Sequence, residues 1–83
     1  MPSCFHYVYI LESVDYSGRY YVGTTQDLKA RLRKHNEGGV PHTAKYRPWR
    51  VKNAISFRDK DRAIEFERYL KSHSGRAVAK KRF

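Results

Sequence analysis

The chain has 83 residues, and 18 Lys and Arg against 8 Asp and Glu give it a formal charge of +10, which bounds it to one small basic domain over residues 1–83. Seven Tyr, four Phe and one Trp within a 40% hydrophobic composition exclude a disordered tail and suffice for one modest core. The lone Cys4 excludes an intrachain disulfide and a thiolate metal cluster, and Phe5 to Leu11, the longest apolar run, is too short for a membrane span and follows no basic leader, so a soluble cytoplasmic protein is expected.

No internal repeat, low-complexity tract or linker interrupts the chain. Phe5 to Leu11 and Tyr20 to Thr24 are rich in Tyr and Val, and the stretch between them carries Asp15, Ser17 and Gly18, which predicts a β-hairpin. Thr25 or Asp27 can cap a helix that runs to about Asn36 and ends at Gly38 and Gly39. A loop through Pro41 and Pro48 follows. Arg50 to Phe57 alternates poorly but reads as a third strand. Asp59 can cap a helix through about Ser72, and Arg76 to Arg82 reads as a short terminal helix after Ser74-Gly75. The expected fold is α/β (α+β), a small three-stranded antiparallel sheet flanked by helices in the order β-β-α-β-α-α.

Charge is distributed in one-signed stretches. Gly38 to Arg58 holds no acid but carries Lys45, Arg47, Arg50, Lys52 and Arg58, and after Glu67 there are six more basic residues and no acid. Such stretches suit a polyanion, and nucleic acid is the leading partner because neutralising phosphates releases counterions. A basic surface that meets an acidic protein or ribosomal RNA is the competing reading. No element suggests a membrane partner.

Three polar side chains sit on faces that should be apolar. Residues three and four apart share a helical face, so Leu28, Arg31, Leu32 and His35 form one stripe. Arg31 there either meets an anionic group or snorkels to water. In the later helix Ala63, Phe66, Glu67 and Leu70 share a face while Glu65 lies opposite. A carboxylate among apolar neighbours pairs with a cation, binds a metal or takes a proton. On the hairpin, Tyr7, Tyr9 and Leu11 share one face and Tyr21 and Gly23 share a face of the partner strand, with Gly23 leaving room for close approach.

Tyr7-Val8-Tyr9, followed after eleven residues by Tyr21-Val22-Gly23, resembles the paired tripeptides that name the GIY-YIG nuclease superfamily. The run YVGTTQDLKARLRKHN, Tyr21 to Asn36, resembles the second tripeptide and the helix with the family's catalytic arginine, here Arg31, with His35 where the family carries His or Tyr. AIEFERYLK, Ala63 to Lys71, is similar to the metal-binding helix and puts the family's acid at Glu67, the residue that the helical-face argument also selects. The resemblance covers nearly the whole chain and is closest to the small single-domain members. The sequence departs from the pattern at Tyr7, which stands for the first glycine, at Thr24, which stands where the excision-repair incision domain has Lys, and in lacking an Asn after Asn53.

The resemblance implies a metal-dependent endonuclease that hydrolyses phosphodiester bonds of DNA, structured or damaged, with Tyr9, Tyr21, Arg31, His35 and Glu67 as catalytic residues. It implies one Mg²⁺ or Mn²⁺ on Glu67, since Mg²⁺ readily takes a single carboxylate plus waters and phosphate oxygens, and no small-molecule cofactor. Arg31 would hold the scissile phosphate with its planar fork. Tyr21 would be the general base, with Tyr9 in its hydrogen-bond network and His35 relaying the proton or exchanging roles with Tyr21. His42, Lys45, Arg47 and Arg50 are the expected phosphate contacts, with Tyr46 available to stack an unpaired base and Trp49 read as a core or loop anchor. A module that keeps the fold and binds nucleic acid without turnover is the alternative.

Overall fold

Alternation along β1 (His6–Ser13) and β2 (Tyr20–Thr25) divides their side chains between two faces, and both faces find a cover. In the computed structural model, which describes residues 5–72, these strands and β3 (Trp49–Phe57) form an antiparallel sheet in the order β2-β1-β3. Helices α1 (Leu28–Asn36) and α2 (Pro41–Ala44) lie over one face and α3 (Lys60–Lys71) over the other. The order within these residues is β-β-α-α-β-α. The helix expected over Arg76 to Arg82 lies outside the described residues.

The sheet separates two apolar clusters. Val8 and Ile10 point towards α3 and pack with Ala63 and Leu70, joined by Val22, Phe57 and Phe66. Tyr9 and Leu11 point the other way and pack with Trp49, joined by Tyr21, Leu28, Leu32, Tyr46 and Val51. Val51 and Phe57 have the same parity yet lie in opposite clusters, because the register shifts between Ile10, opposite Asn53, and Leu11, opposite Val51. The extra residue, Lys52, is a bulge that flips the inward face of β3, and this is why the segment alternates poorly in the sequence.

The expected caps form. Asp27 accepts a hydrogen bond from the Ala30 amide at 3.0 Å, and Asp59 accepts one from the Asp61 amide at 2.9 Å. Gly38 adopts a φ of +80° after α1, and the Gly39 amide donates to the Lys34 carbonyl at 3.0 Å, which ends the helix. Two expectations need correction. β1 extends past Leu11 to Ser13 because its last residues pair with Trp49 and Arg50. The loop after α1 contains α2, a single turn with Pro41 at its first position, where a missing amide hydrogen costs nothing.

Asn36 fastens α1 to the start of β3. Its Oδ1 accepts from the Trp49 amide at 2.6 Å and its Nδ2 donates to the Trp49 carbonyl at 3.0 Å. Trp49 is buried and donates its indole N–H to the Thr43 carbonyl at 2.8 Å, so the loop anchor expected from the sequence also holds α2. No helix among the described residues is long and apolar enough to cross a membrane.

Candidate active site

The candidate site lies beside the edge strand β2, where groups from α1, over the face carrying Tyr9 and Tyr21, and from α3, on the opposite side of the sheet, approach each other. Strand pairing sets Tyr9 opposite Gly23 and Tyr21 opposite Leu11, so the two tyrosines are diagonal neighbours, with ring centroids 6.3 Å apart. Gly23 makes this possible. A Cβ there would lie 2.6 Å from Cζ of Tyr9 and 3.0 Å from a Tyr21 ring carbon, so the Tyr9 ring occupies the space a side chain would fill.

His35 reaches the same place from the last turn of α1. The imidazole is fully buried, 5.9 Å from the Tyr9 ring and 4.9 Å from the Tyr21 ring between centroids. Its Nδ1 lies 2.8 Å from the Thr43 hydroxyl, which donates to the Val40 carbonyl at 3.2 Å. With its proton so committed, the Thr43 oxygen accepts from His35 Nδ1–H. Nε2 is left as the acceptor for the Tyr9 hydroxyl at 3.1 Å. Burial, reinforced by the charges of Arg31 and Lys34, pushes the His35 pKa below 6.5 and keeps the ring in this neutral form.

Tyr9 is held as a phenol. Burial first, and the neighbouring Tyr21 second, push its pKa up to about 12. The Arg31 guanidinium opposes this rise by its charge and by a hydrogen bond to the Tyr9 hydroxyl, while the Glu67 carboxylate adds to it. The Tyr9 hydroxyl thus bonds to His35 and its ring adjoins Tyr21, while the charges of Arg31 and Glu67 act on it. Tyr21, Arg31 and Glu67 are partly exposed, whereas Tyr9 and His35 have no contact with solvent.

Glu67 lies on the inward side of α3, as its helical position requires, and Glu65 is exposed. Its Oε2 is 3.0 Å from Nζ of Lys71, one turn on, and Nζ also stands 5.8 Å from the centre of the Tyr21 ring. Among the described residues no three His, Cys, Asp or Glu side chains gather. A donor set of one partly exposed carboxylate fits a hard divalent ion that keeps most of its waters, such as Mg²⁺ or Mn²⁺.

The four expected phosphate contacts stand apart from this group. His42 is exposed on α2, and Lys45 and Arg47 are exposed in the following connection. Lys45 Nζ and Arg19 Cζ lie 5.8 and 4.6 Å from the centre of the Tyr46 ring, with Tyr16 edge-on at 5.3 Å. Arg50 is exposed but holds Glu12 across the sheet at 2.8 Å. Sequence reasoning missed Thr43, whose hydroxyl fixes the His35 tautomer, and Lys71. A Pro at the start of a short helix was the available signal for Thr43, and the spacing of four from Glu67 was the signal for Lys71.

Known proteins resemble this chain in sequence and in fold. The GIY-YIG catalytic domain matches residues 5–82. The UPF0213 protein BH0048 of Halalkalibacterium halodurans is 39% identical over 72 residues, 86% of this chain and 74% of that protein. The structure-specific endonuclease subunit SLX1 of Scheffersomyces stipitis is also 39% identical, over 81% of this chain, which spans only 22% of that larger subunit. The solution NMR structure of the UPF0213 protein BH0048 from Bacillus halodurans superposes with a TM-score of 0.56 at 34% identity, over 93% of this chain and 83% of that one. By matched length, fold and the ordered set of residues beside Gly23, the chain belongs to the GIY-YIG family.

Proposed function

We propose that this nuclease domain hydrolyses phosphodiester bonds in DNA with the help of one divalent ion on Glu67. The convergence of Tyr9, Tyr21, Arg31, His35 and Glu67 around one phenol carries the reading. The bound ion supplies Lewis-acid stabilisation of charge on the phosphate.

Tyr21 takes the proton from the attacking water. Tyr9 is unsuited to that step because its hydroxyl is buried, committed to His35 and pushed up to about 12. His35 is unsuited because it has no solvent contact and both ring nitrogens are engaged. Its work is to orient Tyr9, which in turn abuts Tyr21. Arg31 holds the scissile phosphate with a permanently charged, planar donor set. His42, Lys45 and Arg47 lead the DNA backbone towards this group, and Arg50 contributes less because Glu12 engages it.

The test is cleavage of single-stranded, duplex, flap and branched DNAs with Mg²⁺ and Mn²⁺, comparing wild type with Glu67→Gln and Arg31→Ala. Metal-dependent product from wild type, lost in both variants while binding persists in Glu67→Gln, is the expected result. Salt-sensitive binding with no product from folded wild type would replace the nuclease by a binding module.

A further inference from the structure

Lys71 occupies a position that an ordinary surface ion pair does not explain. Helical pairs spaced by four residues usually stand in solvent, where either partner can change rotamer at little cost. Here the carboxylate belongs to the inward side of α3 and its side chain retains only 22% of its exposure, against 48% for Lys71. The ammonium is 3.0 Å from Glu67 Oε2 and faces the Tyr21 ring. The counter-charge to the carboxylate is thus supplied by the protein itself, one helical turn on.

We propose that Lys71 is a positioning residue that serves as an exchangeable counter-ion for Glu67, competing with the divalent ion for the same carboxylate. The proposal rests on the reading of Glu67 as the metal ligand. One carboxylate oxygen cannot serve an ammonium at hydrogen-bond distance and a dication together without strong like-charge repulsion. On Oε1 as well, a dication would stand close to the ammonium, so entry of the ion is opposed while Lys71 holds this carboxylate. Lys71 thereby keeps Glu67 oriented towards the site and lowers the affinity of its carboxylate for a divalent ion.

The experiment is titration of the full 83-residue chain with Mn²⁺ alone, following free Mn²⁺ by electron paramagnetic resonance. Wild type is compared with Lys71→Met, Lys71→Gln, Lys71→Arg and Glu67→Gln, with folding checked by circular dichroism. Removing the ammonium in either neutral variant should tighten binding about threefold at low salt, the scale expected for a partly exposed ion pair, and added salt should shrink the gain. Lys71→Arg should stay near wild type. Unchanged or weaker binding in both neutral variants, with the site lost in Glu67→Gln, would overturn the counter-ion role and leave the metal-ligand reading intact. Binding by Glu67→Gln equal to wild type would overturn both.

Discussion

The ring of Tyr9 lies over the backbone of Gly23, its partner across β1 and β2, and fills the volume where any other residue would put a side chain. The glycine therefore determines where the Tyr9 hydroxyl sits, and through it the contacts to His35 and Arg31.

Gly23→Ala should displace both tyrosine rings, because the added methyl falls 2.6 Å from Tyr9 Cζ and 3.0 Å from Tyr21. Overpacking of this kind costs about 1–3 kcal/mol, readable as a lower denaturation midpoint in urea. Cleavage should fall further than stability, since the displaced groups are those assigned to the chemistry. A variant of wild-type stability and activity would show that the rings yield freely.

The neutral His35 makes stability dependent on pH. Its folded-state pKa is lowered from 6.5, so at pH values below that the unfolded chain takes up a proton that the folded chain refuses. The contribution is complete above 6.5 and is lost as the pH falls from there towards the folded-state value. Melting temperatures of wild type should drop across this window more steeply than those of His35→Gln. Parallel curves would mean that His35 protonates without penalty.

Tyr9 should resist ionisation in the opposite range. With its pKa raised from 10.0 to about 12, the folded state keeps a proton that the unfolded state releases, and stability is lost as pH rises through that interval. An ultraviolet phenolate titration should contain one late-titrating tyrosine that is absent from Tyr9→Phe. Tyr9→Phe also strips His35 Nε2 of its donor, at a cost of about 1–3 kcal/mol for the buried acceptor.

Asn36→Ala breaks both hydrogen bonds to the Trp49 backbone. A loss of about 1–2 kcal/mol in chemical denaturation is expected, with Asn36→Asp intermediate because it keeps the acceptor alone. Equal stability of all three proteins would show that the indole bond to Thr43 suffices to hold β3.

Salt dependence separates the proposed phosphate contacts. Lys45→Ala and Arg47→Ala should each reduce the slope of log affinity against log salt by about one, the signature of a lost phosphate contact. Arg50→Ala should reduce it less, because Glu12 already holds that guanidinium.

Much of this arrangement was legible from local patterns. Strand alternation and turn residues locate the hairpin, Asp27 and Asp59 mark the helix starts, and helical spacing separates Glu67 from Glu65. The rest depends on relationships that no short window contains. The bulge at Lys52 inverts the phase of β3, so Val51 and Phe57 misreport which face is buried. The Thr43 hydroxyl meets His35 across a loop and a helix of only four residues, too short for periodicity to register. Lys71 reads as one more basic residue until α3 is docked beside Tyr21.

The sheet is a single layer between two apolar clusters, and each cluster supports a different half of the site. Arg31 and His35 ride on the helix that packs with Tyr9, Leu11 and Trp49, whereas Glu67 rides on the helix that packs with Val8, Ile10, Ala63 and Leu70. Substitutions that loosen one cluster can shift the acid without moving the arginine, or the reverse, and distant core changes add independently. Spacing between the arginine-bearing and acid-bearing helices is thus an adjustable dimension of the molecule, open to drift from either side of the sheet without altering either residue.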